Sequence, residues 1–328
     1  MGYSMKTTKL ESAKTRSHPP FSRNSEAVVI DKVSPEHRNQ ALSFIFTGNS
    51  SNPESTIDPF VAFSEGTLIC LDELWSATKS TEMLAAALIV PSPGRSAMVF
   101  ISPADDQTHV KIYTSLIQRA CESLDPQNVR LAQALIEPGQ NVESGGLQGA
   151  GFEEIAELIY MQRAVYAKQV ALELNNTFTI STWLERHKQR FAQAILASYH
   201  DTLDCPGLVG LRQINDIIAG HMATGMFDPN LWFTVYHGHD PVAVMLLNLV
   251  PQNRTIELVY LGVSPAWRGQ RIGRKLLHHG LGMASKYAAT HMVLAVDRAN
   301  GPALRLYRSF RFKSSSVKKA LVHVVPQG

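Results

Sequence analysis

Apolar residues along the chain fall into two successive series of strand and helix patterns. Continuous or alternating apolar runs predict strands, and apolar residues three and four apart predict helices. The first series predicts, in order, a strand at 27–33, a helix at 36–46, strands at 60–64, 68–73, 83–90 and 97–101, a helix at 108–123, a strand at 129–136, a short helix at 145–150 and a strand at 154–168. Residues 48–58 are rich in Asn, Ser and Pro and predict a loop.

The second series has nearly the same order. It predicts a strand at 176–182, helices at 184–199 and 211–222, strands at 232–236, 242–250 and 255–263, a helix at 274–287, a strand at 291–296, a helix at 302–310 and a closing strand pair within 312–325. The repeated order indicates a tandem duplication. Because 328 residues exceed what one hydrophobic core usually organises, we expect two domains, at 27–168 and 169–328.

Composition narrows the class of protein. The chain is 45% hydrophobic and 18% charged, which is typical of a soluble globular protein, and no run approaches the roughly 18 apolar residues of a membrane span. The net charge of +3 is scattered, which argues against a nucleic-acid partner. Three widely separated cysteines offer no disulfide framework, so we expect a cytoplasmic location. The polar segment 1–26 predicts a disordered tail, with a transit peptide as the less favoured interpretation.

The strand predicted at 255–263 runs directly into a loop that suits an anion. The first N–H groups of a helix lack helical partners and lie at the positive end of its dipole, so they suit a pyrophosphate. Positive side chains surround this turn, and taken alone the pattern also fits a solvated basic helix start. The loop reads Ser264-Pro265-Ala266-Trp267-Arg268-Gly269-Gln270-Arg271-Ile272-Gly273, followed by Arg274 and Lys275.

Context favours the anion site. Val263-Ser264-Pro265 and the stretch 268–277 resemble the coenzyme A signature of the GNAT superfamily, the Gcn5-related N-acetyltransferases. Residues 300–312 resemble the second hallmark of the superfamily, and the resemblance covers about 172–326. The tandem plan is similar to that of the mycothiol synthase family. The resemblance implies an α/β (α+β) fold of two tandem GNAT-like domains, each a mixed, mostly antiparallel central sheet flanked by helices.

The same resemblance implies acetyl-coenzyme A (acetyl-CoA) as the cosubstrate. Loop N–H groups would hold its pyrophosphate, and the preceding strand would bond its pantetheine arm. Arg271 and Arg311 replace two glycines of the family pattern; Arg271 still presents its N–H provided that its φ is negative, and its side chain would reach the adenosine 3′-phosphate. The implied cofactor-binding residues are Leu261, Val263, Arg268, Gly269, Gln270, Arg271, Ile272, Gly273, Arg274 and Asn300.

Direct transfer needs a base for the amine and an acid for the departing thiolate. Glu257 resembles the glutamate base of the histone acetyltransferase branch, and strand alternation predicts that it shares a face with Val263. Burial would raise the pKa of this carboxyl, whereas the alternative is an edge carboxylate facing solvent. Tyr307 falls on the tyrosine of the family and would be the acid; the alternative is a packed helix tyrosine. Asn300 also suits a helix N-cap.

The acceptor is left open by the sequence. We expect an N-acetyltransferase acting by direct attack on a primary amine of a small molecule, in a monomer or homodimer. The alternatives are protein or peptide N-acetylation and a non-catalytic coenzyme A-sensing module. A dinucleotide-binding oxidoreductase is disfavoured because the strands before the loop are hairpin-linked. Candidates for contact with a cationic acceptor are Tyr199, Asp201, Asp204 and Trp232.

The first series repeats the order of elements without the loop chemistry. Its loop at 101–108 has no glycine or arginine and carries Asp105 and Asp106, which would repel a pyrophosphate. We therefore expect a structural or acceptor-cleft role for this half, although Gly151-Phe152 with Tyr160 still resembles the terminal segment of the family. No metal is predicted, because the histidines at 237, 239, 278 and 279 suit solvated surface positions better than a metal site.

Overall fold

A computed structural model describes residues 27–47, 71–104, 106–166 and 177–326. Several predictions from the sequence lie outside these residues. They are the tail at 1–26, the loop at 48–58, the strand at 60–64 and the domain boundary between 168 and 169. The two-domain division therefore stays a prediction.

The first half follows the expected order of elements. Its elements are β1 (Val29–Lys32), α1 (Arg38–Thr47), β2 (Leu74–Lys79), β3 (Glu82–Ser92), β4 (Ser96–Ile101), α2 (Val110–Glu122), β5 (Leu131–Ile136), α3 (Asn141–Gly149) and β6 (Glu153–Ala164). The strand predicted at 68–73 is wrong where it is described: residues 71–73 form a turn, and the strand follows at Leu74. This strand pairs with β1 and β3 within the sheet, and its buried residues contribute to the core.

The second half repeats the order among the described residues and includes the helix α5 between its first helix and β8. Its elements are β7 (Thr179–Thr182), α4 (Lys188–Tyr199), α5 (Ile214–Ala223), β8 (Trp232–His237), β9 (Asp240–Val250), β10 (Thr255–Val263), α6 (Ile272–Lys286), β11 (His291–Asp297), α7 (Gly301–Ser309) and β12 (Lys313–Val324). The closing strand pair predicted within 312–325 is wrong. A single 12-residue strand occupies this segment because it pairs on both sides, with β5 and with β6.

The two halves form one sheet in which their last strands are exchanged. The order is β1-β2-β3-β4-β5-β12-β6-β11-β10-β9-β8-β7, so β12 completes the first half and β6 completes the second. The expectation of a separate sheet in each half is therefore corrected. The fold class itself is confirmed: α/β, with a mostly antiparallel sheet flanked by helices, in which β4–β5 and β10–β11 are parallel.

The cores follow this exchange. Ile159 and Met161 of β6 are buried in the core of the second half, among residues of β8 to β11, α6 and α7. Leu321 of β12 is buried in the core of the first half, beside residues of α2. Burying these side chains against the opposite half removes apolar area from water, which stabilises the joined sheet. Neither half thus holds a complete core by itself.

Arg311 occupies the position that ends helix α7 in a left-handed turn. Its φ is +65°, and the N–H of Phe312 donates to the carbonyl of Tyr307 at 3.1 Å. This is a Schellman motif, whose left-handed residue is usually glycine because a Cβ is strained there. The first half keeps the glycine: Gly151, with a φ of +85°, follows α3 in the same way.

We expect Arg311→Gly to raise the free energy of unfolding by about 1 kcal/mol, because the left-handed backbone then carries no Cβ strain. Urea unfolding at pH 7 measures this. Arg308→Gly is the matched control, since Arg308 lies inside α7, where glycine costs about 1 kcal/mol. If both variants lose stability equally, the left-handed turn is not strained.

Candidate functional site

Strands β10 and β11 separate partway along their length and leave a gap. They pair in parallel only from Thr255 to Glu257, opposite His291 to Val293. Beyond this point β10 stays paired with β9 but not with β11. A cavity of about 780 Å³ fills the gap and continues to the start of α6. The predicted opening between these two strands is thus present.

A β-bulge in β10 changes which side chains face the cavity. The pairing with β9 shifts between Leu258 and Tyr260, so one extra residue enters the strand and the alternation reverses beyond it. Leu258 and Val263 pack in one core although they are an odd number of positions apart, five, whereas Val259 and Tyr260 pack on the opposite face. Glu257 alternates with Leu258, so the prediction that it shares a face with Val263 is wrong.

Glu257 is half-buried at the closed end of the gap, and it is not among the residues lining the cavity. Burial raises the pKa of its carboxyl, as predicted. Tyr160 of β6 lies near enough for the Glu257 charge to raise the pKa of that tyrosine, in addition to the larger effect of burial. The exchanged strand therefore brings a first-half residue to the neighbourhood of the proposed base.

One residue of the loop before α6 has the left-handed backbone conformation that glycine usually adopts, although it is not a glycine. Arg271, the residue before α6, has a φ of +62°, so the condition of a negative φ, under which we expect its N–H to face the ligand, is not met. Gly269 has a φ of +78°, which favours glycine there. A Cβ on Gly273 would lie 3.7 Å from the side chains of Val263 and Leu306, both of which line the cavity. The first turn of α6 thus opens onto the cavity.

The side chain of Arg268 binds backbone carbonyls of the protein itself and is therefore not free to contact a phosphate. Its guanidinium donates to the carbonyls of Val263 at 3.0 Å, Asp201 at 2.9 Å, Ser198 at 3.2 Å and His200 at 2.6 Å. Three of these carbonyls lie at the end of α4, where a positive charge also favours the helix dipole. Arg268 therefore ties α4 to the end of β10, and its backbone N–H donates to the carbonyl of Pro265 at 3.1 Å, so neither its side chain nor its N–H is free for a ligand.

Tyr307 and Asn300 both line the cavity as predicted. Tyr307 is buried, and burial, reinforced by the charge of Asp204, raises the pKa of its phenol. Its hydroxyl has no hydrogen-bond partner among the described residues, so it is free to meet a ligand. The side-chain oxygen of Asn300 accepts the N–H of Ala303 at 3.2 Å and caps α7.

Of the other predicted cofactor residues, the structure brings Leu261, Val263, Gly269, Ile272 and Arg274 to the cavity wall. Gln270 does not line it, and its side chain instead donates to the carbonyl of Ala266 at 3.3 Å. Arg305 lines the cavity but was missed by the sequence analysis. The signal was its position one helical turn after Gly301, on the cavity side of α7.

Two carboxyl groups meet where the cavity approaches the end of β11. The carboxylate of Asp204 accepts the N–H of Asp297 at 3.1 Å, and that of Asp297 accepts the N–H of Cys205 at 3.1 Å. Burial raises the pKa of Asp204, and the charge of Asp297 adds to this. Among the described residues no Lys or Arg pairs with either acid within 4.0 Å. Burial also raises the pKa of the Cys205 thiol, to about 12, which leaves a weak nucleophile.

Only some of the residues predicted to contact the acceptor line the cavity. Asp201 and Asp204 line the cavity, but Tyr199 does not, and its ring meets that of Tyr260 edge-on at 5.6 Å. Trp232 is fully buried and donates its indole N–H to Asn248 at 2.9 Å, so its proposed contact with an acceptor is wrong. Tyr260, missed by sequence reasoning, is directed to the cavity wall by the bulge.

His221 on α5 lies behind this wall. Its ring stacks on that of Tyr260 at 5.8 Å, and its Nε2 is buried without a hydrogen-bond partner among the described residues. Burial, together with the charge of Arg212, lowers the pKa of His221 to about 4. The protonated ring is therefore unfavourable in the folded protein.

This lowered pKa predicts a loss of stability in acid. Since an unfolded His titrates near pH 6.5, the unfolded chain binds a proton first, and the free energy of unfolding falls between about pH 6.5 and 4, by an amount on the order of 3 kcal/mol. His221→Phe keeps a ring against Tyr260 and is expected to remove this part of the acid sensitivity. Urea unfolding at pH 7 and pH 4.5 measures it; equal losses in both proteins would contradict the assignment.

The loop before α2 is the counterpart, in the first half, of the loop before α6. Side chains of the first half itself form hydrogen bonds with this loop. Glu143 of α3 is buried, and its carboxylate accepts the N–H of Ala104 at 2.9 Å in the loop before α2. The hydroxyl of Tyr113 on α2 lies 3.0 Å from the carbonyls of Ser102 and Pro103. A carboxylate thus occupies the N–H side of the loop, which supports the prediction that this half binds no coenzyme A.

The described residues contain neither a metal-binding group of side chains nor a membrane-spanning helix. No group of three or more His, Cys, Asp or Glu side chains is arranged to hold a metal there. The histidines at 278 and 279 are not fully solvated, and the ring of His279 packs edge-on against Phe233 at 4.7 Å. Within the same residues no helix is long and apolar enough to cross a membrane.

Comparison with known proteins agrees with this geometry. A family model describing acetyltransferases, the "Acetyltransferase (GNAT) family", matches residues 181–312. This segment contains the splayed strands, the loop before α6 and Tyr307. Over this segment, which is less than half of the chain, the protein is similar to the GNAT family of acetyltransferases.

Individual relatives match shorter segments. A mycothiol acetyltransferase of Acidothermus cellulolyticus is 35% identical over 77 residues, 24% of this chain and 20% of that protein. A streptothricin acetyltransferase of Streptomyces lavendulae is 33% identical over 69 residues, 21% of this chain and 36% of that protein. The matches therefore span well under half of either relative.

A solved structure extends the likeness to both halves. A GCN5-related N-acetyltransferase from Sphaerobacter thermophilus superposes with a TM-score of 0.60 at 16% identity, covering 92% of this chain and 96% of that chain. At this identity the likeness shows the fold, and it agrees with the tandem plan read from the repeated element order.

Proposed function

We propose that the protein is an acetyl-CoA-dependent N-acetyltransferase that transfers the acetyl group to a primary amine of a small molecule. The observation that carries this proposal is the cavity between β10 and β11, which runs from Tyr307 to the first turn of α6. A thioester and an amine would meet in the gap, while the phosphates would lie at the helix start.

The donor side of the cavity fits coenzyme A in two ways. The β11-facing edge of β10 makes no strand pairing beyond Glu257, so its N–H and C=O groups, apart from the Val263 carbonyl that Arg268 binds, are available to the pantetheine amides. The first turn of α6 offers unpaired N–H groups at the positive end of the helix dipole, which suits a pyrophosphate. Gly273 leaves room for that approach.

The transfer step then requires two protons to move. The neutral amine nitrogen attacks the thioester carbonyl, the carbon–sulfur bond breaks, and the acetyl group becomes an amide. Glu257, held back from the cavity, would take the amine proton through water, and its raised pKa suits a base. Tyr307, kept protonated by its raised pKa, would donate a proton to the departing thiolate.

The acceptor side favours a small cation. Asp201 and Asp204 line the cavity and would attract an ammonium group. The two curated relatives are named for the acetylation of mycothiol and of streptothricin, which supports a small-molecule acceptor. The alternative acceptor is the amine of a peptide, which would have to enter the same cavity.

The proposal is tested by calorimetric titration of acetyl-CoA, followed by a thiol-release assay across small amines and amine-bearing peptides. We expect micromolar one-site binding and thiol release with one class of small amine. Release with peptides alone would favour protein acetylation, and binding without any release would favour a coenzyme A-sensing module. Absence of binding at millimolar ligand would overturn the donor assignment.

A further inference from the structure

Four arginine side chains line the cavity, and the structure divides them into two pairs. Arg268 is committed to the carbonyls of α4 and β10. Arg274 donates to the hydroxyl of Ser309 at 3.0 Å, and its guanidinium lies 4.9 Å from the ring centre of Phe310. These two arginines join parts of the protein to each other.

The other pair, Arg271 and Arg305, is free. Both residues are exposed and line the cavity, and neither guanidinium has a hydrogen-bond or ion-pair partner among the described residues. Arg271 immediately precedes α6. Arg305 lies one turn into α7, and its Nη1 is 3.3 Å from the point that a Cβ on Gly301 would occupy, so it folds back over the start of that helix. Two guanidinium groups without partners among the described residues thus border the cavity, each near the start of a helix.

Their chemistry suits one part of coenzyme A better than the others. The pyrophosphate carries one charge on each phosphate and is matched by the N–H groups of the loop. The 3′-phosphate is a terminal monoester with close to two charges at neutral pH and three free oxygens, as in a phosphorylated side chain. Arginine forks bind such a group with paired, charge-assisted hydrogen bonds. Two forks without internal partners therefore indicate a dianion.

We infer that Arg271 and Arg305 together bind the 3′-phosphate of coenzyme A, so that the protein selects the 3′-phosphorylated cofactor over 3′-dephospho-coenzyme A. The inference rests on the proposed function, because it requires the donor to occupy this cavity. Arg305 is then a specificity residue for the donor. Arg271, which replaces a glycine of the family pattern, would likewise use its side chain to bind this phosphate.

Titration calorimetry with coenzyme A and with 3′-dephospho-coenzyme A tests this at one fixed ionic strength. We expect the native protein to bind coenzyme A at least about tenfold more tightly than the dephospho form. Arg305→Ala and Arg271→Gly should each reduce this ratio severalfold and leave affinity for the dephospho form unchanged. Glycine is chosen at 271 because it keeps the left-handed backbone.

Two variants are matched controls. Arg308→Ala removes an exposed arginine of α7 that does not line the cavity, and Arg311→Gly removes another arginine with a positive φ. Both should keep the native ratio, and thermal melts verify that every variant is folded.

Each contrary result has its own meaning. Equal affinity of the native protein for the two ligands would overturn the 3′-phosphate assignment alone. Equal weakening of both ligands by Arg305→Ala would also overturn it, because the side chain would then contact the pyrophosphate. Failure of the native protein to bind either ligand would overturn the proposed function as well.

Discussion

Gly273→Glu is expected to weaken acetyl-CoA binding by at least about 100-fold, which corresponds to about 2.7 kcal/mol. The added side chain would start 3.7 Å from Val263 and Leu306, where the protein has room for it, and would place a carboxylate at the proposed pyrophosphate site. The fold should tolerate the change, because an acidic residue in the first turn of a helix favours the helix dipole. Calorimetry measures the loss of affinity, and a thermal melt measures the stability.

The matched control is Ala266→Glu. Ala266 is exposed in the same loop and does not line the cavity, so this variant adds the same charge nearby without entering the site. Its affinity for acetyl-CoA should stay within about threefold of the native value, since exposed charges are screened by salt. Equal weakening by both variants would mean that the loop responds only to net charge. Unchanged binding by Gly273→Glu would place the cofactor elsewhere.

Glu257→Gln is expected to lower kcat by about 10²–10⁴-fold, the usual range for loss of a general base, while acetyl-CoA binds as before. Glutamine keeps the shape of the side chain but accepts no proton. Steady-state thiol release with the acceptor identified by the amine screen measures kcat, and calorimetry measures donor binding. Glu185→Gln, at an exposed position outside the cavity, is the control.

The same variant has a second readout in stability. Because burial raises the pKa of Glu257, the ionised carboxylate destabilises the folded protein above that raised pKa and has no effect below the unfolded value near 4.5. Glu257→Gln should therefore raise Tm more at pH 7 than at pH 4. Unchanged turnover together with the higher Tm would show a buried carboxyl without a catalytic role and would remove Glu257 from the mechanism.

The sequence by itself determined most of the elements and indicated the family resemblance. The apolar pattern gave β10 its bounds, Thr255–Val263, and located each of the helices that the structure describes. The loop from Arg268 to Gly273 and the segment around Tyr307 indicated the GNAT family, which the match at 181–312 supports. These signals are local: a strand, a helix start and a glycine turn depend on residues that are neighbours in the chain.

Only the tertiary structure decided how these parts face one another. The bulge at Leu258–Tyr260 put Glu257 and Val263 on opposite faces, and no local pattern marks the extra residue. The exchange of β6 and β12 between the halves depends on pairing residues such as Leu158 and Lys318, which are far apart in the chain. Side-chain partners are equally non-local. Both Arg268 and Arg305 are arginines near a helix start, but Arg268 binds the carbonyls of α4, whereas Arg305 lines the cavity without a partner among the described residues. The partners of each side chain depend on elements that only the folded chain brings together.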